Sequence, residues 1–250
     1  MAPIVLITGG SRGIGAACAR LAVAQGYDVA ISYRAEQAAA EALAAALASS
    51  GTSRVIAVQA DMAREADIMR LFGEIDARLG RLTHLVNNAG VTGKSGRLDA
   101  TESAVIRDCI DVNVTGAILV AREAARRIST RHGGAGGAMV NISSVAARIG
   151  SPFEYVWYAA SKGAIEALTL GLAKELALDG VRVNAVSPGM VMTDIHERST
   201  GDVGRIERIR PGIPMQRIGE PDEIAQTVMF LLSDASSYTT GAIVDVSGGR

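Results

Sequence analysis

Two stretches of the chain carry residue types able to do chemistry. Near the start, "TGGSRGIG" (Thr8 to Gly15) sets a serine among glycines. Gly9, Ser11 and Gly13 fit both the G-x-S-x-G elbow of a serine hydrolase and a glycine loop for dinucleotide phosphates. Further on, "YAASK" places Tyr158 and Lys162 four residues apart in a helical context, hence on one helix face and within reach of a common point. By spacing alone such a pair is usually an ordinary amphipathic surface; a phenol beside an ammonium becomes a proton-transfer pair only if the phenol, with an ordinary pKa near ~10, is brought about three units down, a demand of roughly 4 kcal/mol. One cation about 4 Å away at an effective dielectric near 20 supplies roughly that energy.

A nucleophilic Ser11 requires an acid and a histidine downstream, on a central strand deep in the chain. The histidines are His84, His132 and His196, and none stands in a late strand-end loop. A phosphate cradle asks for less. The loop follows the first apolar run and opens a helix from about Ile14, so backbone N–H groups and the helix dipole face a pyrophosphate. Gly9 permits the turn, Gly13 a close backbone approach and Gly15 tight helix packing.

Seven β-rich runs separated by helical segments must position these groups: 4–8, 28–34, 54–61, 82–90, 137–144, 181–189 and 242–248. The first six are almost continuously apolar, as parallel strands covered on both faces are. Strict alternation predicts an α/β, doubly wound Rossmann fold, a seven-stranded parallel sheet flanked by helices on both faces, as one domain over 1–250. "NNAG" (87–90), "NISS" (141–144) and "SPG" (187–189) close three of the strands, where ligands bind in such sheets. "HGGAGGA" (132–138) should be a mobile connection away from those ends. A net charge of -1 gives no electrostatic reason to expect nucleic acid or an anionic membrane as partner. Cys18 and Cys109 stand far apart without metal or redox spacing, so buried thiols in a reducing compartment, and no metal, are expected. No segment reads as a membrane span or a leader, which predicts a soluble cytoplasmic protein.

In family order, "TGGSRGIG", Asp61, "NNAG", Asn113 in "NVTG", Ser144, "YAASK" and "SPGMVMT" closely resemble the single-domain branch of the short-chain dehydrogenases/reductases. The sequence is most similar there to 3-oxoacyl-carrier-protein reductases and glucose dehydrogenases. The resemblance implies a catalytic set of Asn113, Ser144, Tyr158 and Lys162. Tyr158 would exchange a proton with the carbonyl or alcohol oxygen, and Ser144, selected over Ser143 by the family pattern, would hydrogen-bond it. Lys162 would also hold the nicotinamide ribose, and Asn113 would join a water relay, although its amide could equally satisfy backbone groups. The implied cofactor contacts are Gly9, Ser11, Arg12, Gly13, Ile14, Gly15, Arg34, Asp61, Met62, Asn88, Ala89, Gly90, Tyr158, Lys162, Pro188, Gly189, Val191 and Thr193. Thr193 would meet the carboxamide and is also a possible helix N-cap. Arg34 at the tip of the second strand and Arg12 in the glycine loop, with no acid at the tip, favour a 2'-phosphate and hence NADP(H). A substrate lid over about 190–216 and a homotetramer complete the resemblance, with helices 101–130 and 156–178 across a two-fold axis. Gly163, Ala167 and Gly171 form a small-residue strip on the second of these, facing either another copy or the chain's own sheet.

The segment between Ser144 and Tyr158 departs from the carrier-protein reductases and carries Phe153, Tyr155 and Trp157, which either line the substrate mouth or close the loop over the core. Asp179 aligns with a basic entrance position of those reductases, while Arg131 keeps another, so a free small or medium carbonyl or alcohol is expected rather than an acidic carrier. Asp179 could also be an ordinary turn residue. The alternatives are a 3-oxoacyl-carrier-protein reductase of fatty-acid synthesis and a non-catalytic NADP-binding regulator.

Overall fold

A computed structural model describes residues 2–193 and 204–250; part of the expected lid, with His196, lies outside the described residues. Seven strands form one parallel sheet: β1 (Ile4–Ile7), β2 (Asp28–Tyr33), β3 (Val55–Gln59), β4 (His84–Asn87), β5 (Gly137–Ile142), β6 (Val181–Pro188) and β7 (Ile243–Val246). Their order is β3-β2-β1-β4-β5-β6-β7, the doubly wound arrangement in which the crevice opens between β1 and β4. Ile7 marks that switch, registering with Ile31 on one side and Val86 on the other. β1 and β2 are buried along their whole length because helices cover both faces.

The described helices are α1 (Gly13–Ala24), α2 (Gln37–Ser49), α3 (Glu65–Arg78), α4 (Ser103–Ile110), α5 (Ala117–Ile128), α6 (Ala146–Ile149), α7 (Val156–Leu176), α8 (Arg205–Ile209) and α9 (Pro221–Leu232). One apolar layer joins α1, α2 and α9 to the sheet through residues such as Ala17, Leu47 and Val228. The opposite layer joins α3, α5 and α7 through Phe72, Ile75, Val120 and Ala173. Both cysteines are buried, and burial pushes the Cys18 thiol up to about 12.

The run 132–138 is not the mobile connection expected. Gly136 N–H donates to Ile128 O at 2.9 Å and Gly137 N–H to Gly180 O at 3.0 Å. A Cβ on Gly137 would stand 2.0 Å from Thr83 O and one on Gly134 2.3 Å from Ile128 O, so the glycines are there for close backbone packing. Asp179 is also displaced from its expected setting. It accepts from Ser129 Oγ at 2.9 Å just before β6 begins. Asp179 and Arg131 therefore lie at the amino edge of the sheet and do not flank the active-site entrance of their own protomer. The strip of Gly163, Ala167 and Gly171 faces away from the sheet, since added Cβ atoms on both glycines meet nothing within 4 Å.

Candidate active site

The glycine loop leaves β1 and is tied to its neighbours before α1 begins. Gly10 N–H donates to Ser32 O at 2.9 Å, and Asn88 Nδ2 reaches back to Thr8 O at 2.8 Å and Gly9 O at 3.1 Å. Gly9 (φ +63°) and Gly13 (φ +52°) adopt left-handed conformations, which other residues enter only with strain. A Cβ on Gly15 would lie 2.5 Å from Gly9 O, so only glycine lets α1 start this close to the loop. Among the described residues no side chain caps the first turn of α1, and no acid stands in that turn, leaving backbone donors and the positive dipole end for an anion.

From this loop a cavity of about 880 Å³ runs along the carboxyl ends of the strands to Ser144, Tyr158 and Lys162. Every expected cofactor contact except Gly15 lines it, Gly15 being packed under the loop. Thr193 closes over Gly13, whose Cβ would meet the Thr193 methyl at 3.2 Å. The dipole-bearing helix end, the glycine cradle and the length of the cavity fit a nicotinamide dinucleotide.

At the far end, Tyr158 and Lys162 stand one turn apart near the start of α7. Ser144, which follows β5, hydrogen-bonds Tyr158, whereas Ser143 donates to Glu166 Oε1 at 3.0 Å. Lys162 Nζ donates to Ile142 O at 2.7 Å and lies 5.6 Å from the Tyr158 ring centroid. Burial pushes Lys162 down to about 8 and pushes Tyr158 above the ordinary phenol value, the Ser144 hydrogen bond offsetting part of that rise. The expected lowering draws on the charges of Lys162 and of the oxidised nicotinamide ring together; in the cavity by itself, desolvation is the largest effect on the phenol.

Asn113 sits in a π-helical turn between α4 and α5 and does not reach into the cavity. Its Oδ1 accepts from Val91 N at 2.8 Å, and its Nδ2 donates to Val91 O at 2.8 Å and Ser161 Oγ at 3.0 Å. The aromatic group divides. Trp157 is buried, donating Nε1–H to Thr92 O at 2.7 Å, and packs with Cys109, while Tyr155 and the 73% exposed Phe153 line the cavity.

At the opposite end, the tip of β2 is not free of acid. Arg12 Nη1 pairs with Glu36 at 2.5 Å and Arg34 Nη1 with Asp108 at 3.8 Å. Glu36 was legible in "SYRAE" two residues beyond Arg34. Glu154 and Arg205 also line the cavity and were missed; Arg205 comes from irregular sequence without a motif.

A phosphate cradle joined to a Ser–Tyr–Lys cluster at the switch point of a doubly wound sheet defines an oxidoreductase of the α/β class. A family model described as enoyl-(acyl carrier protein) reductase matches residues 9–250, and the chain belongs to the short-chain dehydrogenase/reductase family. It is 45% identical to the uncharacterized oxidoreductase YgfF of Escherichia coli (strain K12), covering 99% of each chain. It is 34% identical to the 3-oxoacyl-[acyl-carrier-protein] reductase of Staphylococcus aureus (strain Mu50), over 100% of this chain and 98% of that one. A short chain dehydrogenase from Burkholderia cenocepacia J2315, crystallised in complex with NADP, superposes with a TM-score of 0.91 at 34% identity, over 99% of this chain and 97% of that one.

Proposed function

We propose that this chain is an NADP(H)-dependent reductase of small or medium free carbonyl compounds, or a dehydrogenase of the corresponding alcohols. The carrying observation is the single cavity that joins the glycine cradle to Ser144, Tyr158 and Lys162. Bound NADPH supplies the hydride for the carbonyl carbon. Ser144 and Tyr158 orient the carbonyl oxygen with two hydroxyl donors, and Tyr158 passes its proton to that oxygen. Burial keeps Tyr158 protonated before substrate arrives, and the charge of nearby Lys162 offsets that rise as the proton passes to the oxygen. In the oxidative direction Tyr158 must first lose its proton, a step that a charged Lys162 favours. Asn113 braces the Val91 backbone beside Gly90, which gives its side-chain amide a positioning role in this reading.

Arg12 and Arg34 line the end of the cavity next to β2 and suit a 2'-phosphate. Their present partners, Glu36 and Asp108, form half-exposed pairs of the kind worth about 0–1 kcal/mol, less than the roughly 1.5–3 kcal/mol of a hydrogen bond to a charged group. NADPH should therefore be preferred over NADH by about 10–100-fold in kcat/KM, and Arg34→Asp should move the preference toward NADH. NADPH and NADH oxidation over a panel of ketones, diketones, sugars and acyl thioesters is the check; equal efficiencies would remove the assignment.

Similarity to the Staphylococcus aureus enzyme supports a second reading, reduction of a 3-oxoacyl group on a carrier protein. Higher kcat/KM on acetoacetyl-carrier protein than on any free ketone or diketone would establish it. The outward strip on α7, together with Ile118 on α5 and Leu170 on α7, both exposed, supports assembly as a homotetramer through these helices. A cytoplasmic location and a lid over 190–216 belong to the same proposal.

A further inference from the structure

Arg205 is 3% exposed, yet its Nε and Nη1 have no hydrogen-bond partner among the described residues. Only Nη2 is engaged, donating to Glu154 Oε2 at 2.8 Å and to Tyr155 Oη. A buried guanidinium with open donors is costly unless an acceptor arrives. Rotation of the Glu154 carboxylate can reach Nε, because Nε and Nη2 share one edge of the fork. Nη1 lies on the other edge, and Glu154 cannot serve both.

The place of this side chain points to the acceptor. Arg205 lines the same cavity as Tyr158. Its Cζ lies 5.3 Å from the centroid of the Tyr155 ring, which packs edge-on to Tyr158 at 5.6 Å. One aromatic ring thus separates the guanidinium from the phenol that meets the reacting oxygen. Glu154, about a third exposed, can turn toward solvent when another anion takes its place.

We infer that Arg205 is a specificity-determining residue that receives a carboxylate of the substrate, making the preferred substrates short oxo acids, or the matching hydroxy acids, with a short spacer between the two groups. The assignment rests on the proposed function for the reaction but concerns binding. Its test uses the full-length protein with NADP+ and two near-isosteric probes, 4-oxopentanoate and hexane-2,5-dione, titrated calorimetrically, with NADPH-driven reduction measured separately.

Wild type should bind 4-oxopentanoate at least about 10-fold more tightly than the diketone, as a charge-assisted hydrogen bond implies. Arg205→Met should abolish that difference while leaving diketone affinity within about 3-fold, and Arg205→Lys should restore part of it. Glu154→Gln, which removes the competing carboxylate and leaves Arg205 in place, should tighten 4-oxopentanoate binding several-fold and leave the diketone unchanged. Equal binding of both probes by wild type overturns the assignment, as does equal loss for both in Arg205→Met together with no gain in Glu154→Gln. Selective acid binding without reduction of either probe would refute the proposed reaction but support the carboxylate site. Reduction of the diketone without preference for the acid would do the reverse.

Discussion

At the amino ends of the strands, Asp28 accepts from Arg54 N–H at 2.7 Å and from Nε and Nη2 at 2.9 and 2.6 Å, and Arg54 also donates to Leu79 O at 2.7 Å. Arg182 there donates to Leu231 O and Ser236 Oγ, both at 2.8 Å. At the carboxyl ends, Tyr158 is buried above its ordinary pKa, Lys162 is buried at about 8, and Arg205 keeps two nitrogens without a partner among the described residues. Glycines follow the same division. Gly134 and Gly137 let backbone pack on backbone at the amino edge, while Gly9, Gly13 and Gly15 shape a concave loop at the carboxyl edge. One end of the sheet is closed by its own partners, and the other holds donors and charges at a cost in stability so that a ligand completes them.

The division is tested most strongly by removing Lys162. Lys162→Met should lower kcat on any proven substrate by about 10²–10⁴-fold. Its effect on stability should have the opposite sign. With Lys162 near 8 when folded and 10.5 ordinarily, the unfolded chain binds more protons between those values, so this group's contribution rises with pH across that window and is least favourable below it. Without cofactor at pH 7, Lys162→Met should therefore unfold with a free energy up to about 2 kcal/mol higher than wild type, after allowance for the lost bond to Ile142 O. Urea titrations at pH 7 and pH 10 measure it. A variant less stable than wild type would show that the lysine is structural.

Gly137→Ala should do the converse. A Cβ 2.0 Å from Thr83 O forces a backbone shift costing about 3 kcal/mol or more, read by urea unfolding, while KM for NADPH in the folded fraction stays unchanged. A marked rise in that KM would mean that the two edges are not independent.

His84 is the exception at the amino edge and carries a smaller effect. It bonds Thr83 Oγ1 at 2.8 Å and packs edge-on to Tyr27, and burial pushes it down to about 4. The unfolded chain takes up the proton first, near the ordinary 6.5, so stability falls as pH drops from about 6.5 toward 4, by about 2 kcal/mol at pH 5. His84→Gln should flatten that part of the pH–stability curve. An unchanged slope would place the acid sensitivity elsewhere.

The sheet was legible in the apolar runs because buried parallel strands need apolar residues at every position. Their ends were not: the expected strand over 82–90 is only His84–Asn87, since "NAG" turns away to line the cavity. The glycine loop and the Tyr158–Lys162 pair were legible because backbone shape and helix period constrain the residue types allowed. The engagement of Asn113 with Val91 and the buried Arg205 depend on contacts far apart in sequence, 22 positions in the first case and 50 between Arg205 and Tyr155. No local pattern carries such contacts. Asp179 shows the opposite failure: alignment gave it a role at an entrance, and the parallel topology puts it at the other end of the strands.

The central claim is that the carboxyl-edge cluster transfers a proton to a carbonyl while the cradle holds NADPH independently. The direct measurement is NADPH oxidation by wild type and Tyr158→Phe on one proven ketone or diketone, with NADPH affinity determined for both by fluorescence titration. The phenol oxygen is removed with little change in volume, so the variant should bind NADPH within about 2-fold of wild type and lose about 10²-fold or more in turnover. Near wild-type turnover by Tyr158→Phe would contradict it.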